Sequence, residues 1–262
     1  MTALPEPLLA DSVTKLDGAR GRTVVTGSHG GVFAACLAFR SGCRAAVFHD
    51  AGVGLDSAGI GGLAWLDRAG MAAAAVDHRS VPIGDAAAML ERGVISHVNT
   101  AARAVGAVPG MTCAEAVRLL AGAAMPAGEA PEIGETREVV EQGARRLILV
   151  DSASLVLPED AGQVVVTGSH GAIFGGNPAN ALKVDAYLAL FNDAGGAATS
   201  RLPALQDRGV AAATVAAMTA RIGAARSTWK DGVISACNDL AAEMGARPGM
   251  AARDLVGIAL AH

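Results

Sequence analysis

Aromatic side chains are scarce in this chain: two Trp, one Tyr and five Phe, 3% of 262 residues. Any core must therefore be built from Ala, Val, Leu and Ile, and a hydrophobic content of 52% is enough for a sizeable one. Only three lysines occur (Lys15, Lys183, Lys230), and the formal net charge is -4. With no basic cluster beyond Arg145-Arg146, nucleic-acid binding is not expected. That pair is expected to close a helix, where cations suit the C-terminal dipole. No uninterrupted apolar run reaches the roughly 18 residues a membrane-spanning helix needs. Met1–Pro7 shows no basic segment followed by an apolar one, as a secretory leader would. The expectation is a soluble, cytoplasmic protein without a membrane partner.

The common cofactor and metal motifs are missing too. Cys36, Cys43, Cys113 and Cys237 form neither a C-x-x-C pair nor zinc-ribbon spacing, which points to small buried thiols. No Lys follows a glycine turn as Walker A requires, and no G-x-G-x-x-G opens a helix, although Gly52-Val53-Gly54 comes near. ATP hydrolysis and NAD binding thereby lose their usual signatures.

What the chain does have is 33 glycines and a repeat. The run Val24–Gly30 (Val-Val-Thr-Gly-Ser-His-Gly) returns as Val165–Gly171. Other pairs keep the same order: Asp11-Ser12 with Asp151-Ser152, His49-Asp50-Ala51-Gly52 with Asn192-Asp193-Ala194-Gly195, and Pro82-Ile83-Gly84 with Arg221-Ile222-Gly223. Gly93–Ser96 matches Gly232–Ser235, Asn99 matches Asn238, and Pro109-Gly110-Met111 matches Pro248-Gly249-Met250. So many anchors in one order indicate a tandem duplication. The first α/β repeat covers 1–123, a linker with two Pro and two Gly covers 124–135, and the second repeat covers 136–262.

Each repeat reads β-α-β-α-β followed by helices. Strands are expected at 23–27, 44–49 and 71–76, then at 146–151, 164–168, 186–191 and 210–216. Their unbroken apolar runs suit strands buried on both faces of a parallel sheet. Helices are expected after each Ser-His-Gly turn (31–40 in the first copy), at 60–69, at 86–105 with a bend at Gly93, at 136–144 and at 201–208. Thr112 and Glu115 have capping-box spacing and start another helix to about 121. Ser96, His97, Asn99, Ser235 and Asn238 would then lie inside helices, with Asn99 and Asn238 at matched places stitching helix to loop, and Trp65 and Trp229 would pack. With right-handed crossovers, helices cover both faces. The expected fold is a tandem duplication of a Rossmann-like, three-layer βαβαβ unit with pseudo-twofold symmetry; whether the halves share one sheet stays open.

Turns at the carboxyl ends of parallel strands face a crevice, where reactive groups gather. Ser28-His29-Gly30 and Ser169-His170-Gly171 each combine a hydroxyl that can attack or donate, an imidazole that moves protons near neutral pH, and glycines that let backbone N–H groups approach an anion. Alternatively each Ser is a helix N-cap. Asp50 and Asp193, both followed by Ala-Gly, offer a carboxylate as base, ligand or anchor, or else close Asx turns. The third turns differ most. Asp77-His78-Arg79-Ser80 stands opposite Ala217-Met218-Thr219-Ala220, and the second copy instead carries Arg221, Arg226, Ser227 and Thr228. Such a loop can grip carboxylate or phosphate, because guanidinium forks bind these anions bidentately; otherwise Ser227 caps its helix and Arg226 is solvated. A metal site drawn from His29, Asp50, His170 and Asp193 would suit zinc or manganese. It has no H-x-x-x-H or H-E-x-x-H spacing, so no cofactor is expected, with a divalent metal as the alternative.

These features predict a small-molecule enzyme with a composite site between the repeats. Its catalytic groups are Ser28, His29, Asp50, Ser169, His170 and Asp193; Gly30, Gly171, His78, Arg79, Ser80, Arg221, Arg226, Ser227 and Thr228 bind substrate. The substrate is a small anionic, carboxylate-bearing metabolite, and the first reaction class is hydrolysis of an amide-type C–N bond. Isomerisation or elimination by the same groups, and a non-catalytic receptor for phosphate or carboxylate, are the alternatives. Homo-oligomerisation through the Ala-rich helices stays open.

Overall fold

The computed structural model describes residues 5–129 and 131–261, apart from the side chains of Glu141 and Gln142. The chain falls into two compact units, one running through Ala51 and resuming over Ser57–Gly134, the other formed by Gly52–Asp56 and Glu135 onward.

In chain order the first unit contains β1 (Leu8–Ala10), β2 (Thr23–His29), α1 (Val32–Arg40), β3 (Ala45–His49), α2 (Gly61–Arg68), β4 (Ala72–Val76), α3 (Ala86–Arg92), β5 (Ile95–Val98), α4 (Thr100–Ala104) and α5 (Cys113–Leu120). β1 to β4 are parallel neighbours in that order, and β5 closes the edge antiparallel to β4. β3 and β4 are buried along their whole length, as their unbroken apolar sequences require of a sheet covered on both faces. Alternate side chains enter two cores. Val24, Ala46, Phe48 and Ala73 join Ala35 and Ala38 of α1 and Leu63 and Leu66 of α2. Val25, Ala45, Val47 and Ala74 join Met89 of α3 and Val117 and Leu120 of α5. Trp65 packs as expected, edge-on to Phe39 at 6.1 Å. Ile133 also packs on this unit's core.

The second unit contains β6 (Arg137–Gln142), β7 (Arg145–Val150), β8 (Val164–His170), β9 (Leu188–Asn192), α6 (Arg201–Gln206), β10 (Ala211–Val215), α7 (Ala225–Lys230), β11 (Ile234–Cys237), α8 (Asp239–Glu243) and α9 (Ala252–Ala261). Its sheet runs in the order β6 to β11, parallel from β7 to β10 with an antiparallel strand at each edge. Leu147, Leu149, Val164 and Val166 face Leu255 and Val256 of α9, whereas Ile148, Val150, Val165 and Phe191 face Leu202 and Leu205 of α6. The chain is thus a mixed α/β protein with two separate, mainly parallel sheets. No helix among the described residues is long and apolar enough to cross a membrane.

Four expectations are corrected. The helix foreseen over 86–105 stops at Arg92, because Gly93 turns extended (ψ 142) and a Cβ there would lie 2.4 Å from the Met89 carbonyl oxygen. β5 follows, so Ser96 and His97 are on a strand, as Ser235 is on β11. Asn99 and Asn238 do tie helix to loop as expected, from N-cap positions: Asn99 Oδ1 accepts from the Ala102 and Ala73 N–H groups, both at 2.9 Å. The helix foreseen over 136–144 is β6, which turns through Gly143 (φ +71) into β7 with Gln142 opposite Arg145. Arg145-Arg146 therefore opens a strand and closes no helix.

The fourth correction concerns the segment after the second Ser-His-Gly turn. Among the described residues, 171–187 contain no α-helix, only a single 3₁₀ turn at Pro178–Asn180. Gly175 and Gly176, both at positive φ, and Pro178 break a helix locally. Arg201 supplies a tertiary reason. It is 4% exposed, and its guanidinium donates to the His170, Ala172 and Asn180 carbonyls at 3.1 Å and to the Ala181 carbonyl. The matching first-unit residue is Gly62: Gly62 N–H bonds Gly30 O at 2.8 Å, and Arg201 N–H bonds Gly171 O at 2.9 Å. A Cβ at Gly62 would lie 2.6 Å from Ala35 Cβ, so glycine is what lets α1 pack on α2.

Candidate functional site

β3 and β4 run parallel with His49 opposite Val76, so the residues after them emerge at the same sheet edge. Asp50 follows β3; Asp77 and His78 follow β4. The Asp50 carboxylate is 2% exposed, and its Oδ1 accepts the His78 backbone N–H at 3.0 Å and lies 3.0 Å from His78 Nδ1. Asp77 Oδ1 is 3.5 Å from the same nitrogen. With a carboxylate on both sides, Nδ1 carries the ring proton and Nε2 is left as an acceptor. The His78 side chain keeps 24% exposure, so the ring is held from behind and open in front. Arg79 grips both oxygens of Asp77, with Nη2 at 2.6 Å from Oδ2 and its Nε and backbone N–H at 3.0 and 2.8 Å from Oδ1, and these bonds hold the Asp77 carboxyl down at about 2.

Two more histidines stand beside this cluster. His49 is buried; its Nε2–H donates to the Val81 carbonyl at 3.0 Å and its Nδ1 accepts the Ala51 N–H at 3.1 Å. Burial lowers its pKa, with His78 adding to the effect while the Val81 carbonyl, Asp50 and Asp77 oppose it. His29, half-buried at the end of β2 opposite His49, accepts the Gly31 N–H on Nδ1 at 3.1 Å. Burial first, and His49 second, bring it down to about 4. At neutral pH His29 is therefore an uncharged ring whose proton sits on Nε2, a hydrogen-bond donor.

The remaining candidates are engaged locally. Ser28 Oγ accepts the Val13 N–H at 2.9 Å, and Ser169 Oγ accepts the Ala153 N–H at 2.9 Å, so neither caps a helix. The Gly30 and Gly171 N–H groups bond the His49 and Asn192 carbonyls at 3.0 and 2.8 Å. Glycine at Gly171 is a packing need: a Cβ would lie 2.3 Å from the Ala198 carbonyl oxygen. Ser80 Oγ donates to the Asp77 carbonyl at 2.7 Å and accepts the Val94 N–H at 3.2 Å. Arg221 pairs with Asp56, Nε to Oδ2 at 2.6 Å, and Arg226 with Glu138 at 2.7 Å. Ser227 Oγ accepts the Arg221 N–H at 3.0 Å and donates to Asp231 at 2.9 Å, while Thr228 is buried and donates to the Ala224 carbonyl at 3.4 Å.

In the second unit Asn192, Ala216 and Ala217 stand where the first has His49, Asp77 and His78. Asn192 makes the bonds of His49, donating to the Ala220 carbonyl at 3.1 Å and accepting the Ala194 N–H at 2.9 Å. Asp193 Oδ1 accepts the Ala217 and Gly195 N–H groups at 2.9 and 3.1 Å, an Asx turn. His170 Nδ1 accepts the Ala172 N–H at 3.3 Å. The third turns match one residue earlier than expected: Asp77 N–H bonds Val94 O and Ala216 N–H bonds Val233 O, both at 2.8 Å. Asp77, His78, Arg79 and Ser80 thus correspond to Ala216, Ala217, Met218 and Thr219. Thr219 Oγ1 accordingly repeats the bonds of Ser80.

Sequence reasoning assigned Asp50 and His78 to different roles and passed over Asp77. The signal was present, since both turns close adjacent apolar runs of a parallel sheet. Asp50, Asp77 and His78 also offer three metal-capable donor atoms within 4.8 Å of one another, a group that shares only Asp50 with the expected set. No protein-family model, no curated protein and no solved structure matches the chain.

Proposed function

We propose that the chain is an enzyme of acid–base chemistry acting on a small, anionic metabolite, with Asp50, Asp77 and His78 of the first unit as its proton-moving centre. One observation carries the reading: a buried carboxylate, Asp50, 3.0 Å from an imidazole that still reaches solvent. A carboxylate behind Nδ1 fixes the ring and stabilises the imidazolium that forms when a proton arrives. The first reaction class is hydrolysis of an amide-type C–N bond. A water deprotonated at the cluster attacks the carbonyl carbon, the neutral His29 Nε2–H donates to the oxyanion, and the proton leaves with the amine as the C–N bond breaks. Arg79 is 78% exposed and beside the base, so a substrate carboxylate can take it over from Asp77.

The matched hydrogen bonds of His49 and Asn192, Ser80 and Thr219, and Asn99 and Asn238 support a duplicated, Rossmann-like unit whose second copy has lost the base. Ser169, His170 and Asp193 then shape loops or hold substrate. Isomerisation or elimination is the second reading, favoured by the same uncharged His29 donor, which suits an enolate oxygen.

The test is a panel of small carboxylate-bearing amides and hydroxy or keto acids, assayed with wild type, Asp50→Asn and His78→Gln. Amine release that falls by about 10²–10⁴-fold in folded variants supports the assignment. Turnover that survives both substitutions rules it out, and loss of affinity without any wild-type turnover identifies a receptor.

A further inference from the structure

We propose that Asp50, Asp77 and His78 bind one divalent metal ion of the zinc or manganese type. The inference rests on the reading of this cluster as the place where water is activated; with an ion held by the three groups, a metal-bound water would take over the role given to the His78 base. In a tetrahedral site with bonds of about 2.0–2.1 Å, neighbouring donor atoms stand about 3.3 Å apart. His78 Nδ1 lies 3.0 Å from Asp50 Oδ1 and 3.5 Å from Asp77 Oδ1, on either side of that value. One imidazole nitrogen with two carboxylate oxygens suits zinc or manganese; calcium takes six to eight oxygens and copper(I) prefers sulfur.

The surroundings agree with this. Two carboxylates flank the ring, and the Arg79 guanidinium pairs with one of them, Asp77. The donors come from two adjacent parallel strands whose ends are tied, Asp50 N–H to the Val76 carbonyl at 2.9 Å and His78 N–H to Asp50 Oδ1 at 3.0 Å. Arg79 orients the Asp77 carboxylate as an outer partner of a metal ligand does, its N–H and Nε donating to Oδ1 at 2.8 and 3.0 Å and its Nη2 to Oδ2 at 2.6 Å. On binding, the ion takes the lone pair of Nδ1 and the ring proton resides on Nε2. The second unit supplies an internal control: Asp193, Ala216 and Ala217 stand at the matching positions and offer one ligand instead of three.

The experiment uses the full chain, stripped with a chelator and titrated with Zn²⁺ and with Mn²⁺ by calorimetry, with bound metal counted after dialysis. One ion per chain is expected for wild type, with a raised melting temperature. Asp77→Asn and His78→Gln should lose that stoichiometric ion, Arg79→Gln should weaken it about 10–100-fold, and Asp193→Asn should bind as wild type does. Asp77→Asn keeps the shape of the side chain, so this amide variant keeps the test valid should His78→Gln fold poorly. No stoichiometric ion on wild type, or equal binding by Asp77→Asn, overturns the metal site. If stripped protein still turns over substrate in a His78-dependent way, only the metal inference fails; a bound ion with no Asp50-dependent turnover fails the acid–base reading alone.

Discussion

The histidines at the carboxyl edge of the first sheet divide by what their Nδ1 atoms meet. In His29 and His49 that atom accepts a backbone N–H, from Gly31 and Ala51, whereas in His78 it faces two carboxylates. The first arrangement leaves the ring proton on Nε2, and the second places it on Nδ1. The consequence for His29 is a stability that depends on pH. Its pKa is about 4 in the folded chain against 6.5 for the free side chain, so between those values the unfolded chain binds the extra proton. Stability is thus complete above about 6.5 and falls as pH drops toward 4. Urea unfolding of wild type and His29→Gln at pH 7 and pH 5 checks this. The variant should lose less on acidification, by about 1–3 kcal/mol, and identical losses would contradict the assignment.

His49 permits a second prediction at this scale. Asn192 satisfies the same two backbone partners in the second unit, so His49→Asn should cost under about 1 kcal/mol. His49→Ala leaves the Ala51 N–H and the Val81 carbonyl unpaired in a buried place and should cost about 2–4 kcal/mol. Denaturant midpoints of the two variants decide it. Little of this was legible beforehand. The sequence showed His49 opposite Asn192 as a difference, yet their shared hydrogen bonds make them substitutes.

Among elements, α5 was readable from Thr112 and Glu115, whose capping box forms with reciprocal side-chain bonds. β3 and β4 were readable from unbroken apolar runs. β6 was not, because Arg, Glu and Gln around Val139-Val140 are good helix formers in isolation, and only pairing with β7 along six residues makes the strand. The missing helix after His170 was legible in part: Gly175, Gly176 and Pro178 are local breakers, whereas Arg201, which holds the carbonyls of the segment, lies about thirty residues on. That cause is testable from both sides. Gly62→Ala should destabilise the first unit by about 1–3 kcal/mol through overpacking against α1. Arg201→Met removes the donor to four carbonyls and should expose 171–187 to proteolysis well before global unfolding. Cleavage no faster than in wild type would show that the segment holds itself.

At the scale of the whole chain, two sheets built from matching sequences carry unequal chemistry. The first keeps Asp77, His78 and Arg79 on a frame that in the second holds Ala216, Ala217 and Met218. If the frames are equivalent, Ala216→Asp with Ala217→His and Met218→Arg should give the second unit a metal-binding cluster around Asp193. Two ions per chain by metal counting would support that equivalence, and one ion in a folded variant would count against it.

The account stands on the grip of Asp50 on the His78 ring, and long-range ¹H–¹⁵N correlation spectra of the imidazoles report on it directly. In chelator-stripped protein near neutral pH, His29 and His49 should show Nε2–H rings and His78 an Nδ1–H ring that Asp50→Asn abolishes. A His78 ring with the solvent-averaged mixture of tautomers, indifferent to Asp50→Asn, would contradict the account.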